Sequence, residues 1–148
     1  MRQLWMTLQE RQLVFLLRWW AGLFTAAGIC FAIFPSQIIY WLNTIGHSIF
    51  GWPYKNLPEP VEHFWQVLAV ALLAVLTYAA FSAQSEIRQN LKDVRIIIIS
   101  KVVTTLGFLI AFIYSGQYFA YLSGMIIDGV ILFMTWFLYR RTVVSLGL

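Results

Sequence analysis

Residues 94–139 read VRIIIISKVVTTLGFLIAFIYSGQYFAYLSGMIIDGVILFMTWFLY. In this stretch two apolar runs, 94–114 and 118–139, are separated only by the tripeptide SGQ. A helix rises about 1.5 Å per residue, so each run covers roughly 30 Å, the thickness of bilayer hydrocarbon. The short connection predicts an antiparallel hairpin of two transmembrane helices.

Two further apolar runs, 13–34 and 62–83, precede this hairpin. The 148 residues are 61% hydrophobic and 11% charged, whereas soluble domains average about a quarter charged residues. We therefore expect an all-α integral membrane protein in which residues 1–148 form one domain, a four-transmembrane-helix bundle. The first run is too long for a signal-peptide core, so we expect it to remain in the mature protein. Nucleic acid is not an expected partner.

The distribution of cations predicts how the chain is threaded. Most cations lie before the first span, around the connection between the second and third, or after the fourth: Arg2, Arg11, Arg88, Lys92, Arg95, Arg140 and Arg141. Lys55 lies on the opposite side. Because Lys and Arg are enriched in cytoplasmic loops, we expect both termini in the cytoplasm, as in a protein of the bacterial inner membrane.

The first outward loop, residues 35–61, is predicted to be ordered. Pro35 can end the first helix, and apolar residues then recur at helical spacing as far as Phe50, which predicts a short interfacial helix. The following prolines stiffen the rest of the loop. Six aromatic residues are the expected anchors at the headgroup level: Trp19, Trp20, Trp41, Trp52, Tyr54 and Trp65.

Lys101 and Asp128 are charged residues inside the third and fourth spans. An ionisable side chain in hydrocarbon costs several kcal/mol unless it is paired or hydrated. The register of the hairpin places Thr104 level with Asp128 and Lys101 one turn away, so an ion pair is expected. Thr104 or Ser100 could add a hydrogen bond. The pair could be a structural clasp, part of a proton or ion path, or a contact with a subunit or ligand.

Arg18 is a third charge inside a predicted span. Its long side chain can extend to the headgroups, and the alternatives are a polar cluster shared with Asp128 or contact with an anionic lipid headgroup.

Small residues offer faces for close helix packing, namely Gly22 with Ala26, Gly107 with Ala111, and Ser123 or Gly124. Cys30, the only cysteine, falls in an apolar run and is expected to serve in packing.

Two local patterns predict further features. Asn90 is placed to cap the third span, with Asp93 at its third position. His47, His63, Glu59 and Glu62 lie on the outward side and could form a metal site, although their spacing does not favour one.

The segment LRWWAGLF at 17–24, followed by Ala27 and Gly28, resembles the first span of the small DoxX-like membrane proteins. The resemblance implies a four-helix membrane fold and transfers no site residue to this chain. Small multidrug transporters also have four spans, but they depend on an acidic residue in the first span, where this chain has Arg18.

No catalytic or cofactor motif occurs in the sequence, which does not indicate an enzyme. The expected function is that of a structural or stabilising accessory subunit of a larger membrane complex. Its expected partners are the bilayer and other membrane subunits or further copies of the chain. The alternatives are a small proton-coupled transporter using Asp128 and Lys101, and a redox or quinone-linked (DoxX-like) membrane subunit. The aromatic surface suits contact with lipid, quinone or pigment.

Overall fold

Five α-helices make up the part of the chain that the computed structural model describes, residues 6–58 and 64–147. They are α1 (Leu8–Ile33), α2 (Pro35–Phe50), α3 (Phe64–Ser85), α4 (Leu91–Tyr114) and α5 (Phe119–Ser145), and this part contains no β-strand. Helices α1, α3, α4 and α5 are each long and apolar enough to cross a membrane. The predicted all-helical architecture with four candidate spans is confirmed at this level.

Local chemistry sets both ends of α1. The Thr7 hydroxyl accepts a hydrogen bond from the Glu10 backbone N–H (3.2 Å), and the Glu10 carboxylate accepts one from the Thr7 N–H (2.6 Å). This reciprocal capping box satisfies two N–H groups that the helix leaves unbonded. At the other end Pro35, which has no N–H, is the first residue of α2, and Phe34 lies between the helices.

The four long helices form an antiparallel ring in which α1 packs closely on α3, and α4 on α5. Contacts of α3 with α4 and of α1 with α5 close the ring. We call the end that holds Thr7, the α3–α4 turn and Ser145 the terminal end. The end that holds α2 and the α4–α5 turn is the loop end.

Packing is densest in the half of the bundle nearer the terminal end. There the apolar core is built mainly from Leu13, Leu17, Phe24, Leu76, Ala80, Ile87, Val94, Ile97 and Ile131, all nearly inaccessible to solvent. Among the described residues, α3 has none buried before Leu76, and α4 has none after Lys101. Lys101 therefore lies where the close-packed half gives way to a looser one.

Helix α2 is docked on the start of α5. Gly46 meets the Phe119 ring so closely that a Cβ at position 46 would lie 2.7 Å from its Cγ. After α2, Gly51 adopts a left-handed conformation (φ 57°), and the Asn43 amide exchanges two 3.0 Å hydrogen bonds with the Leu57 backbone. These contacts tie the extended passage after α2 to the helix itself.

The helix bounds differ in places from the predicted spans. Helix α5 continues to Ser145, so Arg140 and Arg141 lie within it. Asn90 is the N-cap residue of α4, as predicted, but its side chain makes no capping bond, and its amide donates to the Ser82 carbonyl instead (2.8 Å). Asp93 accepts from the Ser82 hydroxyl instead (2.5 Å), so both polar groups join α4 to α3. The predicted start of the second span at 62 lies outside the described residues.

Candidate functional site

The Lys101 ammonium and the Asp128 carboxylate form an ion pair, with Nζ 2.6 Å from Oδ1. Both residues are buried, at 5% and 8% relative exposure. Lys101 belongs to α4 and Asp128 to α5, and the tight turn after Tyr114 makes these two helices antiparallel neighbours. The pair links the two helices of the hairpin midway along their length.

The ammonium of Lys101 also contacts α1. Its Nζ lies 5.1 Å from the centroid of the Phe24 ring, and Phe24 is itself 1% exposed. A cation over an aromatic face at this distance is attracted by the ring quadrupole, and more strongly where water is excluded. Three helices therefore meet at Lys101.

The neighbouring hydroxyl groups do not bond to the ion pair. The Thr104 hydroxyl donates to the Lys101 backbone carbonyl (3.4 Å) rather than to either charged group. The hydroxyl oxygens of Ser100 and Thr105 are buried and have no hydrogen-bond partner within the described chain. The suggested contribution of Thr104 or Ser100 to the pair is therefore not seen.

Arg18 is exposed on the outer face of α1, and no hydrogen bond or ion pair joins it to Asp128 or to any other described residue. It begins a row of residues four apart, Arg18, Gly22, Ala26 and Cys30, and all four are exposed. Together with Phe15, Trp19 and Leu23 this row lines an open groove of about 750 Å³. Cys30 is exposed, because this face of α1 points away from the bundle, so it does not pack within the described part of this chain.

The six predicted aromatic anchors fall into two groups. Trp19, Trp41, Tyr54 and Trp65 are exposed, at 48–65%. Trp20 and Trp52 instead hydrogen-bond within the bundle. The Trp20 indole donates to the Thr135 hydroxyl on α5 (2.9 Å), and the Trp52 indole donates to the backbone carbonyl of Gln117 in the α4–α5 turn (2.9 Å).

A second ion pair, which was not predicted from the sequence, lies at the terminal end. The Arg88 Nε is 2.6 Å from Oε1 of Glu10, and the Glu10 side chain is fully buried. Glu10 both caps α1 and holds the α3–α4 turn. Its hydrogen bond and its negative charge raise the pKa of the Arg88 guanidinium above the ordinary value. The spacing of Thr7 and Glu10 is that of a capping box, which signals the start of a helix but not the contact with Arg88.

The possible outward metal site cannot be followed beyond His47, since Glu59, Glu62 and His63 lie outside the described residues. Within the described ranges, no three His, Cys, Asp or Glu side chains are grouped so as to hold a metal ion.

The site thus consists of a neutralised pair in the bundle interior and an arginine directed away from it. Comparison of the chain with protein-family models, with curated proteins and with solved structures finds no match.

Proposed function

We propose that this protein is a structural or stabilising accessory subunit of a larger membrane complex. The observation that carries the proposal is the contrast between its two intramembrane cations. Lys101 is neutralised within the chain by Asp128, whereas Arg18 is exposed on the surface of α1 with no carboxylate partner among the described residues. An intramembrane charge is costly unless something compensates it, so Arg18 suits a contact with another molecule.

The Lys101 pair acts as a clasp in this proposal. A direct contact of 2.6 Å between two buried groups, with Phe24 over the ammonium, holds α4, α5 and α1 in one register. The best-attested role of buried polar pairs is to specify such registers. The clasp would keep the outer faces of the helices in place for a partner.

The expected occupant of the groove beside Arg18 is a transmembrane helix of another subunit that carries a carboxylate at the depth of Arg18. Gly22, Ala26 and Cys30 allow the backbone of a second helix to approach closely, and a Cβ at Gly22 would meet nothing within 4 Å. The carboxylate is required by charge complementarity, because the groove contributes a cation and no acidic residue.

Purification after gentle detergent extraction, with identification of the co-purifying chains, tests this proposal. We expect at least one other membrane protein to co-purify with the wild type and to be lost from Arg18→Leu and Gly22→Leu. Gly107→Leu is the matched control, because position 107 also faces open space but lies on α4.

Co-purification that persists in Arg18→Leu and Gly22→Leu would contradict the assigned contact. Arg18→Lys distinguishes it from simple extension to the headgroups. A lysine would reach the headgroups equally well, but it lacks the planar fork that binds a carboxylate through two parallel hydrogen bonds.

The proposal includes an orientation. We infer that the terminal end faces the cytoplasm, as expected for a bacterial inner-membrane protein, because Arg11, Lys92, Arg140 and Arg141 lie at that end. Helix α2 would then lie at the outer surface of the membrane, with Tyr40, Trp41 and Ile49 exposed to the interface.

One observation favours the alternative of a small proton-coupled transporter. The buried hydroxyl oxygens of Ser100 and Thr105, on the same helix as Lys101, have no partner in the described chain and suit a polar path. The test is to measure proton flux in vesicles reconstituted with the protein. A flux that the wild type supports and the Thr105→Val variant does not would favour this alternative. The third hypothesis, a redox or quinone-linked subunit, stays a prediction from the resemblance alone.

A further inference from the structure

Arg140 and Arg141, near the end of α5, make no ion pair within the described part of the chain. Each guanidinium lies over an aromatic ring one turn earlier on α5: Arg140 over Trp136 (5.4 Å) and Arg141 over Phe137 (5.5 Å). A cation–π contact uses none of the guanidinium N–H donors. Neither arginine donates a hydrogen bond to another described residue, so both have donors available to an anion.

Arg141 lies at the junction of two surface grooves. One groove, of about 500 Å³, runs between α1 and α5 from Gln12 and Arg141 past Leu138 and Phe15 to Trp19 and Met134. The residues along it are almost all apolar, and it extends from the terminal end toward the middle of the bundle. The second groove, of about 630 Å³, continues past Arg141 toward Gln9, Arg140 and Ser145 at the terminal end.

Among the described residues, the charged groups that line this corner are all positive. None of the residues lining either groove is acidic, and Glu10, the acidic residue in the first turn of α1, is buried and bonded to Arg88. A basic group at the mouth of an apolar groove matches the two parts of an anionic phospholipid. Phosphate binds the arginine through charge-assisted hydrogen bonds, and hydrocarbon fills the groove.

We propose that the groove between α1 and α5 is a binding site for an anionic phospholipid, with the phosphate at Arg141 and an acyl chain along Phe15, Trp19 and Met134. The site is separate from the row that begins at Arg18. Phe15 and Trp19, whose rings pack edge to face with centroids 6.3 Å apart, line both grooves, but Arg141 and Met134 line only the groove between α1 and α5, and Arg18 lines only the other. The site therefore does not depend on the proposed subunit contact.

Quenching of tryptophan fluorescence by lipids with brominated acyl chains tests the site on the purified full-length protein. We expect phosphatidylglycerol to quench at a lower concentration than phosphatidylcholine with the same chains. Arg141→Gln should raise the half-saturating concentration of phosphatidylglycerol about tenfold, the size of one lost charge-assisted hydrogen bond. Lys92→Gln, which removes an exposed cation at the same end, should leave it unchanged.

A second variant locates the acyl chain. Trp19→Phe should lower the maximum quenching, because it removes a fluorescent reporter that lies beside the acyl chain. Equal affinity of the wild type for the two lipids would overturn the proposal whether or not Arg141→Gln folds. An equal loss in Lys92→Gln, or undiminished maximum quenching in Trp19→Phe, would also overturn it.

Discussion

Lys101 stays in an apolar helix because its charge is compensated from two sides. Asp128 neutralises the ammonium, and the Phe24 ring covers it. Removing one member of such a pair leaves an uncompensated charge, whereas removing both leaves an apolar contact. The pair should therefore show strong coupling in a double-mutant cycle.

We expect Lys101→Met and Asp128→Leu each to lower the free energy of unfolding by about 3 kcal/mol, and the double variant to recover most of that loss. Thermal or denaturant unfolding of the purified protein in detergent measures the effect. Lys92→Met, an exposed lysine on the same helix, is the control. A double variant as unstable as the two single changes combined would show that the charges do not stabilise each other.

Glu10 should be the second sensitive position. Its carboxylate accepts hydrogen bonds from the Thr7 N–H and from Arg88, and it lies in a fully buried site. Glu10→Gln should cost about 1 kcal/mol or more of unfolding free energy, because one of these bonds is lost or weakened. Glu86→Gln alters an exposed carboxylate in the nearby turn and should have little effect. Equal effects of the two variants in unfolding experiments would contradict the role of Glu10.

The two ion pairs differ in how far sequence could predict them. Lys101 and Asp128 lie on consecutive helices joined by a short turn, so counting residues along the hairpin was enough to expect a contact. Glu10 and Arg88 are far apart in the chain and meet only because α1 packs on α3. The capping-box spacing of Thr7 and Glu10 is a local signal of a helix start that was not used to predict α1, and it holds no information about Arg88.

Among the helices, α4 and α5 pack through a close approach at Gly124. A Cβ at this position would lie 2.8 Å from the Phe108 ring, whereas one at Gly107 would meet nothing within 4 Å. Gly124→Ala should therefore destabilise the protein by about 1–3 kcal/mol through overpacking. Gly107→Ala should be neutral or stabilising, since alanine favours a helix over glycine. The free energies of unfolding of the two variants and the wild type, measured under the same conditions, check this difference. A Gly124→Ala protein as stable as the wild type would contradict the observed packing.

Helix α2 could be expected from its sequence but its docking could not. Proline at the start, apolar residues at helical spacing and glycine after the end are local signals. The contact that docks it, Gly46 against Phe119, joins residues far apart in the chain and depends on how α5 begins. The same limit explains Trp20 and Trp52, whose hydrogen bonds to α5 and to the α4–α5 turn gave no local signal.

The four long apolar helices of the molecule were predicted from the hydrophobic composition and from the lengths of the apolar stretches in the sequence. This works because the thickness of the bilayer fixes the length that a membrane-spanning helix needs. The uneven packing was not predicted. The dense contacts near the terminal end depend on which faces of α1 and α3 meet. The sequence does not identify those faces, because an apolar residue on a lipid-facing surface is as hydrophobic as one buried between helices.

The proposed orientation predicts which ends of the helices can be labelled from outside the cell. In a Cys30→Ala background, Gln117→Cys at the loop end should react with a membrane-impermeant maleimide in intact cells. Ser145→Cys at the terminal end should react only after the cells are opened. Both native residues are exposed, so accessibility within the protein is matched. The reverse labelling pattern would mean that the terminal end faces outward.

We propose that this chain works as part of a larger assembly, and the mass of the particle extracted from membranes is the decisive measurement. Native mass spectrometry after gentle extraction should give a particle whose mass is not a whole-number multiple of the 17.1 kDa chain plus bound lipid, and collisional activation should release a second polypeptide. The Arg18→Leu variant should lose that polypeptide. A monomer or a homodimer, with the same mass in wild type and variant, would contradict the claim.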